Sequence, residues 1–282
     1  MKLNNKLIAT SFLLLLATGP LVACGNSSKA GESKESKESK TSETKKLTDE
    51  EIAKTDAQTV LKAIYQNDTT MANDVSSESF DSIIQKLQDG VADKQVKYFE
   101  ENGKLDDYTL IVDGSEYTAK EVINDYAKAY MKITATLPDV AVEKVEMNGD
   151  EATVTAKIRP IAGLSEANPI GGARTKIFGG LDNDTIVRQS QNKDVKQINR
   201  LITLKLYGVY YGDMGKKPPY ADEETEINFR LKKSGNHYVA DYETYKGLVK
   251  NSRAEVYGKT EGDDSNNQSS STEASSKDNK NI

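Results

Sequence analysis

Residues 140–158 read Val-Ala-Val-Glu-Lys-Val-Glu-Met-Asn-Gly-Asp-Glu-Ala-Thr-Val-Thr-Ala-Lys-Ile. On both sides of the Asn-Gly-Asp triplet, apolar residues alternate with polar ones, which is the period of a β-strand with one buried face. Asn-Gly is a strong signal for a tight hairpin turn. The alternation shifts by one place before Val145, which predicts a β-bulge near Lys144. We therefore predict an antiparallel hairpin whose second strand buries the side chains of Ala152, Val154, Ala156 and Ile158.

Upstream of this hairpin, the apolar residues recur with a helical period. Two segments carry the Thr-x-x-Glu pattern of a capping box, Thr48 with Glu51 and Thr118 with Glu121, and each is flanked by the apolar pair of a hydrophobic staple. A further helical segment lies between them, within residues 77–103. Three helices are therefore expected before the first strand of the hairpin.

Downstream of the hairpin we predict three more strands, over residues 201–211, 225–233 and 238–241. Residues 161–197 lie between the second and third predicted strands and are too many for an ordinary connection. The expected fold is α+β, with three N-terminal helices packed on a curved antiparallel sheet, a cone-like shape and a long insertion between strands. A single domain, residues 47–258, has a suitable length for this plan.

The order of these elements, from Thr48 to about Asp241, resembles the cone-shaped fold of the nuclear-transport-factor-2-like superfamily. In that fold a bent sheet wraps around helices and leaves a pocket, so the resemblance implies a pocket here. The superfamily contains isomerases, dehydratases and non-catalytic modules. The resemblance therefore does not choose a function.

The N-terminus has the parts of a secretory signal peptide. Lys2 and Lys6 supply a basic start, and an apolar run covers residues 7–16. This run is shorter than the stretch of about 20 apolar residues that a membrane-spanning helix needs. We therefore predict that residues 1–23 are a leader that is removed during export.

The sole cysteine, Cys24, follows directly on this leader. With Leu21 three places before it, and Ala23 and Gly25 on either side, the segment resembles the lipobox of bacterial lipoproteins. The resemblance implies cleavage between Ala23 and Cys24, after a diacylglyceryl group has been attached to the cysteine sulfur. The expected location is the outer face of the cell membrane, with the lipid on Cys24 as the anchor. The chain is also similar in layout to surface lipoproteins of Gram-positive bacteria.

Two polar segments flank the predicted domain. Residues 24–46 comprise the lipidated cysteine and a Ser/Lys/Glu spacer, and residues 259–282 form a Ser/Asn/Asp-rich tail. Both compositions are typical of disordered segments. Loss of Lys2 and Lys6 with the leader takes the formal charge from −6 to −8. Such an acidic chain is not expected to bind nucleic acid, and its attachment to a membrane would come from the lipid.

One candidate site lies in the insertion. Arg174, Lys176 and Phe178 stand between the glycine pairs at residues 171–172 and 179–180. A glycine-rich loop with basic side chains can hold a phosphate or a carboxylate. The alternative is a surface loop without a ligand.

Tyrosines form a second candidate site. Half of the 14 tyrosines lie between Tyr207 and Tyr245 in a chain without tryptophan. Tyrosine is favoured at recognition surfaces, although it also fits the interior of strands. The candidates for contact with a ligand or partner are Tyr207, Tyr210, Tyr211 and Tyr220.

Few residues indicate catalysis. His237 is the sole histidine and follows a predicted turn, so we expect it to face solvent. A zinc site normally needs three or four His, Cys or carboxylate ligands, and we expect neither a metal nor another cofactor. Acid–base chemistry in a cone pocket could use Asp125 or Asp241 beside a tyrosine, provided that burial raises the pKa of the carboxyl group.

The sequence therefore favours a non-enzymatic domain that binds an envelope component, such as a peptide or another envelope protein. The alternative is a small-molecule enzyme of the isomerase or dehydratase type that uses the cone pocket. An apolar cavity containing a buried Asp beside a Tyr would favour the enzyme. An exposed tyrosine face would favour the binding domain.

Overall fold

The structure is a computed structural model that describes residues 47–101, 103–162, 171–190 and 194–254. The predicted leader, Cys24, the spacer and the tail lie outside these residues. The described helices are α1 (Asp49–Gln66), α2 (Phe80–Glu100), α3 (Ala119–Thr134), α4 (Gly171–Phe178), α5 (Asn183–Gln189), α6 (Val195–Tyr207) and α7 (Tyr242–Asn251). The described strands are β1 (Thr109–Val112), β2 (Ser115–Thr118), β3 (Val140–Asn148), β4 (Glu151–Ile158), β5 (Thr225–Ser234) and β6 (His237–Val239).

The predicted α+β class is confirmed. Strands β3, β4, β5 and β6 form an antiparallel sheet in that order, and β1 pairs with β2 in a separate hairpin. Helix α1 packs across the buried face of the larger sheet, against β3, β4 and β6. Helices α2, α3 and α6 pack against one another beyond it, so that the core continues from the sheet into the helical half.

The β3–β4 hairpin forms as predicted. The register shifts between Val142 and Lys144, where the bulge was expected. Gly149 in the turn has φ +60°, a conformation that glycine adopts without strain. All four apolar side chains predicted for the buried face of β4 are fully buried, namely those of Ala152, Val154, Ala156 and Ile158.

Both predicted capping boxes are present. At α1, the Glu51 N–H donates to Thr48 Oγ1 at 3.2 Å and the Thr48 N–H donates to Glu51 Oε2 at 2.8 Å. At α3, Thr118 and Glu121 make the same reciprocal bonds. The backbone N–H of Thr118 holds the pKa of Glu121 below its ordinary value, so the capping carboxylate is ionised at neutral pH.

The outer edge of β3 is protected by a side chain of α1. Gln58 Nε2 donates to the Val140 carbonyl at 3.2 Å, and the Val142 N–H donates to Gln58 Oε1 at 3.1 Å. This amide therefore takes the place of a neighbouring strand, and the bulge that follows it interrupts the edge. Side chains and bulges of this kind prevent an edge strand from pairing with another chain.

The strand predicted over residues 201–211 is wrong. These residues belong to α6 and to a π-helical turn, Gly208–Asp213, that continues it. Asp194 caps α6 by accepting from the N–H groups of Lys196 and Gln197. Within the described residues, the sheet therefore lacks one of the strands that the cone-shaped fold was expected to have. The resemblance to that fold is not confirmed.

Gly208 explains how α6 comes close to α3. A Cβ atom at this position would lie 3.3 Å from the backbone nitrogen of Tyr126. The absence of a side chain therefore lets the two helices pack backbone to backbone.

The insertion contains helical structure instead of a simple loop. The described part of it includes α4 and α5, which pack against α6, and α5 also contacts β1. Asp182 caps α5 by accepting from the Thr185 N–H at 2.6 Å. Within the residues described, no helix has both the length and the apolar content that crossing a membrane requires.

Candidate functional site

The outer edge of β5 is only partly covered. β5 pairs with β4 from Thr225 to Lys232, but it pairs with β6 only from Lys232 to Ser234. After Val239 the chain leaves the sheet and enters α7. In the described part of the chain, residues 225–231 of β5 therefore have no strand on their outer side.

The hydrogen-bond pattern shows which backbone groups point outward. The Lys233 N–H donates to the Asp150 carbonyl at 2.8 Å, on the side of β4. Backbone groups alternate between the two sides of an antiparallel strand, so those of Asn228 and Arg230 point away from β4. The Arg230 carbonyl accepts from Thr244 Oγ1 of α7 at 3.2 Å, as this alternation requires. The N–H and C=O groups of Asn228 and the N–H of Arg230 have no hydrogen-bond partner among the described residues.

Helix α7 runs beside this edge and leaves a groove of about 460 Å³. Phe229 and Leu248 lie at its floor, and both are buried. Gly247 lies on the α7 side, and a Cβ atom at this position would have no other atom within 4 Å. The groove is therefore open beside Gly247, where α7 has no side chain.

Asp241 and two tyrosines fix the position of α7. Asp241 begins the helix by accepting from the Thr244 N–H at 2.8 Å, and this bond holds the pKa of Asp241 below its ordinary value. Tyr245 shares a hydrogen bond of 2.8 Å with Ser76, and Tyr65 donates to the Leu248 carbonyl at 2.6 Å. Burial raises the pKa of Tyr245 to about 12 and also raises the pKa of Tyr65, so both phenols are neutral at physiological pH.

The charges around the groove are mostly paired. Lys232 lies 3.8 Å from Glu151, and Glu243 pairs with Lys246 outside the groove at 3.0 Å. Asp241 is engaged by the N-terminus of α7. Arg230 is exposed and has no carboxylate within 4.0 Å among the described residues. Two cations, Arg230 and Lys232, and three carboxylates, those of Glu151, Asp241 and Glu243, line the groove, so it has no excess of positive charge.

His237 is half-buried instead of fully solvent-facing. Its Nδ1 lies 3.0 Å from Oδ1 of Asp56, and the other oxygen of Asp56 accepts from the Tyr238 N–H at 2.7 Å. Asp56 is a buried residue of α1, so this contact holds β6 against that helix. Among the described residues no cluster of three or more His, Cys, Asp or Glu side chains is arranged to hold a metal ion.

The carboxylates named for the enzyme alternative lie in polar surroundings. The side chain of Asp125 is 52% exposed and lies 4.0 Å from Lys205. Asp241 has a lowered pKa because it caps α7. Asp241 therefore lacks the desolvated position that would raise its pKa for proton transfer, and Asp125 is open to solvent.

Three of the candidate tyrosines lie in the core. The ring of Tyr207 stacks on that of Tyr211 at 5.8 Å, and Tyr210 meets Tyr211 edge to face at 4.8 Å. All three are buried, and burial raises the pKa of Tyr211 to about 12. Tyr220 donates to the Thr136 carbonyl at 2.7 Å. These side chains line neither the β5–α7 groove nor an exposed aromatic face.

The candidate residues of the insertion lie on α4. Phe178 is fully buried, and the guanidinium of Arg174 lies 5.1 Å from the centre of its ring. Arg174 also donates to the Leu181 carbonyl and to Asn183 Oδ1. Lys176 is exposed beside a separate groove of about 280 Å³. Arg174 therefore connects α4 to α5, and Lys176 is the most exposed of the three.

In comparisons with known proteins, no protein-family model and no curated protein sequence matches the chain. Part of the chain is similar to a crystal structure described as that of "a putative lipoprotein (ycdA)" from Bacillus subtilis, with 13% sequence identity and a TM-score of 0.44. The similarity covers 72% of this chain and 56% of that one. The chain thus spans a little over half the length of that protein.

Proposed function

We propose that this protein is a lipid-anchored binding protein at the outer face of a Gram-positive cell membrane. We further propose that its domain binds an extended peptide segment in the β5–α7 groove, without catalysing a reaction. The observation that carries this proposal is the partial cover of β5, which β6 pairs only at Lys232–Ser234. An exposed sheet edge binds an extended peptide by accepting it as an additional strand.

The N–H and C=O groups of Asn228 and the N–H of Arg230 would supply the main-chain hydrogen bonds, since the Arg230 carbonyl already accepts from Thr244. An added strand lies about 4.8 Å from its neighbour, so it would pair with β5 as far as the Arg230 N–H, where Thr244 of α7 closes the edge. Its side chains would point alternately to the solvent-facing side of the sheet and to the floor at Phe229 and Leu248. Main-chain bonds would give affinity, and the floor would select side chains by size.

The two edges of the sheet support this proposal by their contrast. The edge of β3 is closed by Gln58 and by a bulge. The edge of β5 has such a side-chain bond at Arg230, from Thr244 of α7, and none at Asn228 in the described part of the chain, where the groove separates the strand from the helix. An edge that is left open next to a preformed groove is suited to binding.

The predicted anchor would place this groove close to the membrane. Two acyl chains on Cys24 hold a protein stably at a bilayer, whereas one chain gives marginal binding. The spacer of residues 26–46 could extend to at most about 75 Å. The groove could therefore reach envelope proteins and exported peptides near the membrane.

Filling the groove tests the proposal. We expect Gly247→Phe to place a ring in the groove without loss of stability, because a Cβ atom at this position has no other atom within 4 Å and glycine is a poor residue for a helix interior. The probe is a phage-displayed library of random heptapeptides panned against the mature protein. Fluorescence anisotropy of the selected peptides should show a loss of affinity of at least about tenfold in the Gly247→Phe variant, since the ring occupies the volume of the bound strand.

Lys250→Phe is the matched control, because it adds the same ring to an exposed position of α7 that does not line the groove. It should leave peptide affinity unchanged. Equal binding by the parent and the Gly247→Phe variant would contradict the proposal. So would a library from which the parent protein selects no peptide.

A further inference from the structure

We infer that the groove of about 280 Å³ beside Lys176 binds small organic carboxylates that have an apolar body. This groove is lined by residues of α4, α6, the β1–β2 hairpin and the π-helical turn, and is called the α4–α6 groove below. It shares no lining residue with the β5–α7 groove, so the inference goes beyond the proposed peptide binding. It is carried by Lys205, a largely buried lysine that lines the groove.

The ammonium group of Lys205 has no hydrogen-bond acceptor among the described residues. The side chain is only 12% exposed, and its Nζ lies 4.0 Å from the centre of the Tyr117 ring. The Asp125 carboxylate is 4.0 Å from Nζ, which is too far for a hydrogen bond. A lysine ammonium has three N–H donors, and a buried charge is costly unless it is paired and hydrogen-bonded. An acceptor that enters the groove would therefore supply what Lys205 lacks.

The charges that line the groove favour an anion. In the described part of the chain, the lining has two cations, Lys176 and Lys205, and one carboxylate, that of Asp213. Asp125 and Glu121 do not line the groove, and Glu121 is engaged by the Thr118 N–H at the start of α3. A ligand with a single negative charge would therefore balance the lining.

The rest of the lining favours an apolar body. Phe178 and Val112 are buried, and Val209 and Met214 are brought to the groove by the π-helical turn, in which the Met214 N–H donates to the Val209 carbonyl at 2.9 Å. Such turns are rare and occur frequently at functional sites. Ligand pockets have volumes of about 300 Å³ or more, so this groove suits a small molecule.

Three probes of equal shape test the inference on the mature protein. They are phenylpropanoate, the neutral phenylpropanol and the cationic phenylpropylamine, titrated by NMR at the methyl groups of Val112, Val209 and Met214. The carboxylate should bind at least about tenfold more tightly than the alcohol, because its hydrogen bonds to an ammonium are charge-assisted, and the amine should bind most weakly.

A variant assigns this preference to Lys205. Lys205→Met removes the ammonium but keeps an apolar side chain, so the affinity for phenylpropanoate should fall to that for phenylpropanol, and the affinity for phenylpropanol should be unchanged. Lys196→Met is the matched control, because Lys196 is an exposed lysine of α6 that does not line the groove. The Gly247→Phe variant should bind phenylpropanoate as the parent does, whatever its effect on peptide binding.

The inference is wrong if the parent binds the acid and the alcohol equally, prefers the amine, or shows no shift at the three methyl groups. These comparisons use the parent alone, so they decide even if Lys205→Met disturbs the fold. A Lys205→Met protein that keeps the preference for the carboxylate would also overturn the inference. None of these results bears on the β5–α7 groove, so the proposed peptide binding stands or falls separately.

Discussion

Replacing Cys24 with alanine should abolish lipidation, so that every chain from which the leader has been cut is released from the membrane to the medium. The sulfur of Cys24 is the attachment point of both predicted acyl chains, and each buried CH₂ group contributes roughly 0.8 kcal/mol to membrane binding. Loss of the leader changes the formal charge of the chain from −6 to −8. The surface of the mature protein would therefore not hold it at an anionic bilayer. Loss of the lipid should therefore release the chains that have also lost the leader.

Cell fractionation measures this effect, and Asn26→Ala is the matched control because it leaves the lipobox intact. The control should remain in the membrane fraction. Mass spectrometry of the N-terminus of each product shows whether the leader has been removed, since an uncut apolar leader would itself retain the variant. A Cys24→Ala protein that is fully processed and still membrane-bound would contradict lipid anchoring.

Replacing Asn228 with proline should abolish peptide binding while the fold is retained. Proline lacks an N–H group, and it is tolerated in a strand where that group points away from the neighbouring strand. The N–H of Asn228 points to the groove, so the ladder with β4 keeps its hydrogen bonds. The proline ring would also obstruct the approach of an added strand. We expect the affinity for selected peptides to fall by at least about thirtyfold, because one main-chain bond is lost and its neighbours are disturbed.

Two further variants make this result specific. Asn228→Ala removes the side-chain hydrogen bond with Thr155 Oγ1 but keeps the N–H group, and it should bind peptides nearly as well as the parent. Phe229→Pro removes an N–H that points to β4 and should unfold the domain. Thermal unfolding followed by circular dichroism distinguishes loss of fold from loss of binding. Full peptide binding by a folded Asn228→Pro protein would disprove strand addition at β5.

Local signals in the sequence predicted the hairpin and the starts of two helices. The period of residues 140–158, the Asn-Gly turn and the capping residues Thr48 and Thr118 act within a few positions of themselves. The turn and the helix starts that these signals predict therefore do not depend on the remainder of the fold. The bulge near Lys144 was also predictable. The alternation of apolar and polar residues shifts by one position there, and such a shift requires one extra residue in the strand.

The segment of residues 201–211 shows why other elements were missed. Its pattern of apolar and polar residues fits a strand about as well as it fits a helix that is buried on several sides. The deciding signals were Asp194, which caps α6, and Gly208, which permits contact with α3. The small β1–β2 hairpin had its own signal in Asp113-Gly114, both with positive φ. The sequence analysis did not use it.

The groove could be predicted only in part. The strand expected at residues 225–233 is much longer than the one expected at residues 238–241, and a short strand beside a long one leaves part of the edge unpaired. What the sequence does not contain is the position of α7, which is set by long-range bonds such as that from Tyr65 to Leu248. The burial of Tyr207, Tyr210 and Tyr211 likewise depends on the packing of α6 against α3.

Amide hydrogen exchange, measured by NMR on the mature protein, tests strand addition most directly. In the free protein we expect the amides of Phe229 and Leu231 to exchange slowly, since they face β4, and those of Asn228 and Arg230 to exchange rapidly. Saturation with a selected peptide should slow exchange at Asn228 and Arg230 by at least about tenfold and leave Phe229 and Leu231 nearly unchanged. Unchanged exchange at Asn228 and Arg230 in a saturated complex would contradict the account, as would strong protection of both amides before any peptide is added.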